Sequence, residues 1–344
     1  MNGPISIIIL NYNGKQYLKE CLNSVFAQSY TDFEVILFDN NSSDGSVEYL
    51  RSEFLDKRLK VVESAKNLGF AGGNNEALKH CGNDLVVLLN NDTISDKDWL
   101  LNLAAAAGEK NTIASSFVIT KGVPEKYYET NGSVSYLMYN IMNIFPDKED
   151  EFYPNGCSLI FRKSEIGEPF DPDYFYYGED TYLGLKARFM GMRIKFAKDS
   201  IVHHLGGGSE TANSFKTFCQ ERNRFLNLYI FFSIGFIVRM IPYITFNHIM
   251  RLVTSIFSKR RSFGGTLKAL IWFYLNIPAV LRKRREIALF KTKDEAEVIK
   301  FMSSKVFNEG SRVAGFFNSV SYLYSRLTGI KPIEYYIKNG IPFK

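Results

Sequence analysis

The chain has 344 residues, 46% of them hydrophobic and 23% charged, and its 42 Lys and Arg outnumber its 36 Asp and Glu. This length accommodates one catalytic domain of about 220 residues and an extension, with enough apolar chain for a buried core. The four cysteines, Cys21, Cys81, Cys157 and Cys219, are widely separated, which excludes a dense disulfide scaffold and indicates reduced thiols in the cytosol. No signal peptide is expected, because the first residues lead at once into an apolar strand.

The first part of the chain alternates apolar strands with amphipathic helices. Apolar runs predict strands at residues 5–10, 33–38, 59–62 and 84–89, and helical spacing lies between them. After the fourth strand, the pattern predicts a helix over residues 95–107. Strands that alternate with helices of this length indicate an α/β fold, with a mostly parallel sheet covered by helices on both faces.

Polar residues follow two of these strands, because Asp39 ends the second and Asn90, Asn91 and Asp92 end the fourth. Open α/β sheets bind ligands at the carboxyl ends of their strands, so Asp92 is a candidate cation ligand. The alternative is that Asp92 caps the helix after it. The glycine-rich loop at residues 67–75 lets backbone amides approach a phosphate. It lacks the dinucleotide and P-loop signatures, so both of those site classes lose their main support.

Two further clusters carry candidate chemistry. Glu179 and Asp180 follow a run of aromatic residues and precede a helix that extends to about residue 190. Acidic residues are also favoured at helix starts, so this pair alone does not identify a site. His203 and His204 follow a short predicted strand and precede the glycine run at residues 206–208. One of them is a candidate metal ligand, and the alternative is a structural or exposed pair.

Four segments, in this order, resemble the glycosyltransferases of family 2, which have the GT-A fold. They are Leu-Asn-Tyr-Asn, Phe-Asp-Asn-Asn-Ser-Ser-Asp-Gly, Asn-Leu-Gly-Phe-Ala-Gly-Gly-Asn and Leu-Asn-Asn-Asp-Thr, at residues 10–13, 38–45, 67–74 and 89–93. The chain is most similar to the rhamnosyltransferase-like branch, in which Asn often replaces the first acid of the Asp-x-Asp metal motif, as Asn90 does. The resemblance implies a Rossmann-like GT-A catalytic domain over residues 1–221 and a C-terminal helical extension over residues 222–344.

The resemblance also implies a donor site. Asp92 would hold Mg²⁺ or Mn²⁺ on the donor diphosphate, with His204 as a second ligand or diphosphate contact and His203 as the alternative. Oxygen-rich ligands favour these ions over Zn²⁺. The residues implied to bind the donor nucleotide are Asn11, Tyr12, Asp39, Asn67, Gly72, Asn90 and Asn91.

For the acceptor side, the resemblance makes Asp180 the general base, with Glu179 beside it. An inverting transfer needs a carboxylate that takes the proton of the acceptor hydroxyl as this hydroxyl attacks the anomeric carbon. Gly156, Cys157, Glu179 and Arg222 are implied to line the sugar and acceptor pocket. The branch implies dTDP-rhamnose as the first donor to consider, followed by UDP-hexoses.

The segment at residues 222–293 contains 14 Lys or Arg and a single acid, Glu286. Its uncharged stretches, residues 225–238 and 269–281, are shorter than the roughly 20 residues of a transmembrane helix. They suit helices that lie in the headgroup region of an anionic membrane. The alternative is a helical subdomain that packs on the catalytic core or on a second subunit, as in a homodimer. Nucleic acid is not an expected partner, since the cations alternate with long apolar runs.

The sequence therefore predicts a metal-dependent inverting glycosyltransferase of cell-surface polysaccharide biosynthesis. It would transfer rhamnose or a hexose from a dTDP- or UDP-sugar to a lipid-linked or cell-surface glycan acceptor. It would work in the cytoplasm as a peripheral protein on the inner face of the membrane. Two alternatives stay open. One is a non-catalytic, membrane-associated scaffold with a GT-A fold, which only Asn90 supports. The other is a sugar-phosphate nucleotidyltransferase, which ordinarily has a basic glycine-rich loop where this chain has Asn11, Tyr12 and Asn13.

Overall fold

The structure, a computed structural model, describes residues 3–123, 132–142, 150–206, 213–259, 261–307 and 312–341. It contains two compact units that interleave along the chain. The first, here called the sheet unit, consists of Met1–Thr130, Pro154–Phe175 and Met192–Gly208. The second, here called the helical unit, consists of Asn131–Tyr153, Tyr176–Gly191 and Ser209–Lys344.

The sheet unit contains eight strands and five helices among its described residues. The strands are β1 Ile5–Asn11, β2 Phe33–Asp39, β3 Leu59–Glu63, β4 Leu85–Asn90, β5 Thr93–Ser95, β6 Thr112–Thr120, β9 Ser158–Arg162 and β10 Arg193–His204. The helices are α1 Lys15–Phe26, α2 Ser46–Glu53, α3 Gly69–Leu78, α4 Trp99–Ala106 and α5 Lys163–Ile166. The four strands predicted before residue 90 are all present.

The strands form one sheet in the order β3-β2-β1-β4-β9-β6-β10-β5. The pairs β1–β2, β1–β4, β2–β3 and β6–β10 are parallel, whereas β9 runs antiparallel to β4 and β6, and β5 runs antiparallel to β10. The sheet is therefore mostly parallel, as predicted. Strands β1, β2 and β4 are buried over almost their whole lengths, since helices cover both faces of such a sheet.

Trp99 lies in the core of the sheet unit at the start of α4. Its side chain is fully buried, and its indole Nε1 donates to Ser116 Oγ at 3.0 Å and to Ser158 Oγ at 2.9 Å. Because a buried indole N–H needs an acceptor, these two serines make the tryptophan compatible with the apolar core.

The prediction of a helix over residues 95–107 is wrong about where the helix begins. Thr93–Ser95 instead forms β5, which pairs with the end of β10 and places Thr93 opposite His204. The β-branched Thr93 and Ile94 favour this extended backbone, so α4 begins only at Trp99. Asp92 therefore precedes a strand and does not cap a helix. The short strand predicted before the histidines is part of the twelve-residue β10.

The helical unit contains two short strands, β7 Ser133–Val134 and β8 Asn140–Ile141, and eight helices among its described residues. The helices are α6 Glu179–Phe189, α7 Ser214–Phe231, α8 Ile234–Phe257, α9 Phe263–Leu275, α10 Ile277–Ala288, α11 Glu295–Ile299, α12 Arg312–Leu327 and α13 Ile333–Lys338. The predicted domain boundary after residue 221 falls inside α7.

Helices α7, α8 and α9 begin at side chains that cap them. Asn213, Ser233 and Ser262 each accept a hydrogen bond from a backbone N–H in the first turn of the helix that follows. Among the described residues, no single helix has both the length and the hydropathy to cross a membrane. Within the described part of the chain, one helix pair, α9 and α10, meets this criterion together, across a bend of 73° at Asn276.

Candidate active site

Three polar residues at the ends of neighbouring strands form one hydrogen-bonded cluster in the sheet unit. Asn11 Nδ2 donates to Asp39 Oδ1 at 2.9 Å, and Asn91 Nδ2 donates to Asn11 Oδ1 at 2.7 Å. Asp39 Oδ2 accepts from the backbone N–H of Ser42 at 2.8 Å. The parallel register pairs Asn11 with Asp39, so both side chains reach the same sheet edge. Asn11 and Asp39 are buried in this cluster and fix the loops around it.

Gly14 allows the backbone to approach this cluster closely. A Cβ atom at Gly14 would lie 2.1 Å from Asn91 Nδ2 and 2.8 Å from Asn11 Oδ1. Tyr12 directly follows Asn11 of this cluster in the sequence, and 51% of its surface is exposed. Among the predicted donor-nucleotide residues, Tyr12 is therefore the one that presents a large flat side chain to solvent.

A buried asparagine ties the glycine-rich loop to the end of β2. Asn40 Nδ2 donates to Asn67 Oδ1 at 3.0 Å and to Gly69 O at 3.1 Å, while Asn40 Oδ1 accepts from Leu68 N at 2.9 Å. Gly69 has φ +71°, and a Cβ there would lie 2.4 Å from Phe175 O. The predicted residue Asn67 therefore shapes the loop. Gly72 lies in α3, where a Cβ would press on Leu68 Cβ at 3.2 Å.

Asp92 and His204 come together where β5 pairs with the end of β10. His204 Nε2 lies 3.1 Å from Asp92 Oδ1, and the backbone N–H of Leu205 donates to Asp92 O at 2.8 Å. The two side chains are 24% and 20% exposed. A Cβ at Gly206 would lie only 1.8 Å from Asp92 Oδ2, so this glycine leaves room beside the carboxylate. Residues 207 and 208 of the predicted glycine run lie outside the described residues.

His203 takes a different partner. Successive side chains of a strand point to opposite faces, and His203 Nε2 lies 3.0 Å from Asp96 Oδ1. Of the two candidate histidines, His204 is therefore the one beside Asp92.

The Asp92 and His204 side chains fit a divalent cation as a partial ligand set. They offer one carboxylate and one imidazole, both partly exposed, with open space maintained by Gly206. Among the described residues, no group of three or more His, Cys, Asp or Glu side chains is arranged to hold a metal ion. Mg²⁺ and related ions commonly bind through one or two protein ligands and take further oxygens from a phosphate and from water. The pair therefore suits an ion that is bound together with a phosphorylated ligand.

The segment at residues 155–157 meets the Asp92 region through its backbone. Asn90 N donates to Cys157 O at 2.9 Å, and Asn90 O accepts from Thr93 Oγ1 at 2.6 Å. Gly156 and Cys157 are both buried, and the Cys157 side chain packs in the hydrophobic core. This packing directs the Cys157 thiol into the core. Only the backbone of this segment is therefore available to line a pocket.

In the helical unit, a strained backbone segment leads into α6. Tyr177 and Gly178 have φ +66° and +83°, in the left-handed region that residues other than glycine rarely adopt. The strained residue is therefore Tyr177. Two buried asparagines of α7 hold this segment. Asn223 Nδ2 donates to the carbonyls of Tyr176, at 3.1 Å, and of Tyr177, and Asn227 Nδ2 donates to Gly178 O at 3.0 Å. Such strain persists only where surrounding contacts fix it, and it is common at functional sites.

Glu179 and Asp180 follow this segment as the first residues of α6. Asp180 is partly exposed, whereas only 7% of Glu179 is exposed, and Glu179 Oε2 has no hydrogen-bond partner among the described residues. Burial, followed by the nearby charge of Asp180, raises the pKa of Glu179 to about 8. Glu179 is therefore mainly protonated at neutral pH. Of the two acids, Asp180 is the more exposed residue, although its Oδ1 atom is buried.

Arg222 lies on the same helix as the two asparagines. Its Nε donates to Asn223 Oδ1 at 2.8 Å, and its guanidinium lies over the rings of Phe218 and Trp272, at 5.2 and 5.4 Å. Arg224 differs, because it is buried and pairs with Glu221 at 2.7 Å. Arg222 is therefore the arginine of this segment that is linked to the start of α6, through Asn223.

Sequence reasoning missed Asn40, Asn223 and Asn227. Each is buried, and each donates to backbone carbonyls of a segment that is distant in the sequence. For the two residues of α7, the available signal is a pair of asparagines four residues apart, which places both on one face of the predicted helix.

The comparisons with known proteins agree on one family. A family profile described as "Glycosyl transferase family 2" matches residues 6–167. The chain is 32% identical over 185 residues to the UDP-Glc:alpha-D-GlcNAc-diphosphoundecaprenol beta-1,3-glucosyltransferase WfgD of Escherichia coli, covering 53% of this chain and 68% of WfgD. It is 26% identical over 209 residues to the poly(ribitol-phosphate) beta-N-acetylglucosaminyltransferase TarS of Staphylococcus aureus. That match covers 58% of this chain and about a third of TarS, 35%.

Two solved structures have a similar fold. Residues 1–349 of Staphylococcus aureus TarS, in complex with UDP-GlcNAc, match with a TM-score of 0.52 at 17% identity, over 99% of this chain and 93% of that one. The mannosyltransferase PcManGT from Pyrobaculum calidifontis, in complex with GDP-Man and Mn²⁺, matches with a TM-score of 0.50 at 17% identity, over 96% and 84% of the two chains. At these identities the likeness establishes the fold alone.

Proposed function

The chain belongs to glycosyltransferase family 2 and has the GT-A fold, and we propose that it is an inverting, metal-dependent enzyme that transfers a sugar from a nucleotide-diphosphate donor to a glycan hydroxyl. The observation that carries the proposal is the contact between Asp92 and His204. It lies next in sequence to the hydrogen-bonded cluster of Asn11, Asp39 and Asn91. This arrangement supports a site for a metal-bound diphosphate at the sheet edge where α/β folds bind nucleotides.

The donor is a UDP- or dTDP-linked hexose or rhamnose. The exposed ring of Tyr12 is suited to stack on the base. Asn40 and Asn67 fix the glycine-rich loop that follows β3. Relatives support a nucleotide sugar in general, since WfgD is named for UDP-Glc and the structures of TarS and PcManGT contain UDP-GlcNAc and GDP-Man. The resemblance to the rhamnosyltransferase branch is what keeps dTDP-rhamnose among the candidates.

The cofactor is Mg²⁺ or Mn²⁺, held by Asp92 and His204. When bound, such an ion neutralises part of the diphosphate charge and so stabilises the nucleoside diphosphate as a leaving group. The protein keeps this site open through Gly206 and orients the Asp92 backbone through the N–H of Leu205. The Mn²⁺ in the PcManGT structure supports a divalent ion in this fold.

Asp180 acts as the general base. Its carboxylate takes the proton from the acceptor hydroxyl as the hydroxyl oxygen attacks the anomeric carbon and the bond to the diphosphate breaks. Burial, followed by the charge of Asp180, raises the pKa of the neighbouring Glu179 to about 8, which makes Glu179 the poorer candidate for an ionised base at neutral pH. Arg222, Gly156 and Cys157 remain the proposed residues of the sugar and acceptor pocket.

The acceptor is a lipid-linked or cell-surface glycan on the cytoplasmic face of the membrane. Two features support this. WfgD is named for a diphosphoundecaprenol-linked acceptor, and residues 222–293 combine long apolar runs with 14 Lys or Arg and one acid. An anionic membrane surface attracts such a segment. A homodimer is the alternative use of the same apolar surface.

The proposal is tested by incubating the full chain with a panel of UDP-, dTDP- and GDP-sugars and Mg²⁺ or Mn²⁺, and by measuring nucleoside diphosphate release with and without lipid-linked glycan acceptors. One donor should be hydrolysed slowly without acceptor and turned over faster with it, and chelation with EDTA should stop both. Product whose anomeric configuration matches that of the donor would overturn the inverting mechanism. Turnover that EDTA leaves unchanged would overturn the role of the metal.

A further inference from the structure

Helix α9 presents an apolar face to solvent. Phe263, Leu267, Ile271 and Tyr274 are exposed and recur at intervals of four, four and three residues, so they lie on one side of the helix. These four residues are called the α9 face below. Leu275 extends the face to the bend before α10 and is also exposed. At 1.5 Å per residue, the thirteen residues of α9 make this face about 20 Å long.

Unpaired cations lie at both ends of the α9 face and beside it. Lys259 precedes α9, Lys268 lies on it, and Arg282 and Arg285 follow on α10, and all four residues are exposed. None of these four forms an ion pair with a residue in the described parts of the chain. A strip of apolar side chains with uncompensated cations at both ends is therefore directed to solvent.

The opposite side of α9 is committed to packing on α7. A Cβ at Gly265 would lie 2.5 Å from Ser214 O, so the two helices are in close contact there. Ser262 N donates to Thr217 Oγ1 at 3.1 Å, and the rings of Phe273 and Tyr229 lie 4.4 Å apart. Because this side is filled, α9 cannot rotate its exposed face inward without losing these contacts.

We propose that α9 docks on the surface of an anionic phospholipid membrane, with the α9 face among the upper acyl chains and the four cations on lipid phosphates. An interfacial helix requires this combination, an apolar face for the hydrocarbon boundary and cations for the anionic headgroups. A protein partner would have to supply acidic groups at both ends of a 20 Å apolar strip, whereas an anionic membrane presents phosphates everywhere around its hydrocarbon.

Docking has a consequence for the proposed reaction. Helix α7, which packs against the inner side of α9, carries Asn223 and Asn227, and these hold the backbone that leads to Asp180. Packed helices lie about 8–10 Å apart, so α9 on the membrane holds α7 one helix layer above the lipid. Docking would thus bring the helix that holds the backbone before Asp180 close to the surface that carries a lipid-linked acceptor. This consequence rests on the proposed function, whereas the docking itself does not.

The test is flotation of the full chain with phosphatidylcholine vesicles that contain or lack phosphatidylglycerol. The protein should float with the anionic vesicles and remain below with the neutral ones, and high salt should release it. Ile271→Glu should lower the bound fraction about tenfold, because it places a carboxylate in the apolar face. The matched control is Leu101→Glu, which changes a helical residue of nearly equal exposure, 46% against 49%, in the sheet unit. Lys268→Glu should weaken binding more than Lys19→Glu, an exposed helical lysine of the sheet unit.

Equal flotation of Ile271→Glu and Leu101→Glu would overturn the proposal, as would no flotation of the wild type. Protein that stays with the vesicles in alkaline carbonate would overturn the interfacial placement in favour of insertion of the α9–α10 pair. A dimer that forms without lipid and that Ile271→Glu dissociates would assign the face to a second copy of the chain. Donor hydrolysis in solution distinguishes a failure of membrane docking from a failure of the proposed function. The α9 variants should still hydrolyse the donor even where they no longer bind vesicles.

Discussion

The two units differ most in the surface that they leave exposed. Among the described residues, the sheet unit exposes three large hydrophobic side chains, Tyr12, Leu55 and Leu101, whereas the helical unit, of similar length, exposes 26. Scattered single residues need no explanation, but contiguous apolar surface usually marks an interaction site. The sheet unit thus offers little apolar surface to a partner, and the proposed membrane contact belongs to the helical unit.

The candidate chemistry is also divided between the two units. The sheet unit holds the proposed donor and metal residues. Asn11, Asp39 and Asn91 contact one another at strand ends, and Asp92 contacts His204. The helical unit holds the proposed base, which lies at a helix start on a strained segment fixed by Asn223 and Asn227. Donor binding and proton removal should therefore respond to different substitutions.

The largest expected effect is on turnover, from Asp180→Asn in the helical unit. The amide keeps the shape of the side chain but cannot accept the proton, so turnover should fall on the order of 10³-fold. Donor binding should stay unchanged, because the proposed donor residues belong to the sheet unit. Steady-state kinetics of nucleoside diphosphate release measures the first quantity, and calorimetry with UDP measures the second. Asp199→Asn, an exposed acid of the sheet unit, is the control, and a variant that keeps a tenth of wild-type turnover would exclude Asp180 as the base.

A smaller loss is expected from Asn223→Leu, which removes the donors to the carbonyls of Tyr176 and Tyr177. A misplaced base lowers kcat without changing donor affinity, so kcat should fall about 10- to 100-fold at a nearly constant donor KM. Asn227→Leu should act in the same direction but less, since it frees one carbonyl.

The matched control for this prediction is Asn102→Leu. Asn102 donates its side-chain N–H to Asp199 O, so the change breaks a side chain-to-backbone hydrogen bond in the sheet unit, at a more exposed position. It should lower stability by about 0.5–1.5 kcal/mol and leave kcat intact. Equal kcat losses in the Asn102 and Asn223 variants would show that the asparagines of α7 contribute to stability alone and do not position the base.

The smallest effect concerns pH and Glu179→Gln. Because the pKa of Glu179 rises from 4.5 to about 8 on folding, its protonated form is favoured in the folded state. The resulting stability is complete below about pH 4.5 and is lost as pH rises toward 8. Between pH 6 and 7, the wild type should lose about 1 kcal/mol relative to the glutamine variant. Urea unfolding at several pH values measures this difference. A pH-independent difference would show that Glu179 ionises normally, and Glu20→Gln is the exposed control.

The sequence predicted the sheet edge well, and the reason lies in register. Parallel neighbours bring their carboxyl ends to one edge, so polar residues that follow β1, β2 and β4 had to lie near one another. Asn11, Asp39 and Asn91 do so through direct hydrogen bonds. The start of α4 was not predictable from local spacing, because β5 exists only through its pairing with the distant β10.

The helical unit was harder to predict because its decisive contacts join distant segments. Helical spacing identifies α7, but it does not reveal that Asn223 and Asn227 hold residues 176–178. Composition marked residues 222–293 as basic and apolar, yet the choice of which side of α9 faces solvent follows from the close approach of Gly265 to α7.

The most direct test of the donor site is a calorimetric titration of UDP and dTDP, each with Mn²⁺ and with EDTA. The wild type should bind one of them at least about tenfold more tightly with Mn²⁺, and Asp92→Ala should remove that gain. His204→Ala should reduce the gain, whereas His203→Ala, whose ring contacts Asp96, should retain it. A full gain from Mn²⁺ in Asp92→Ala would contradict the account.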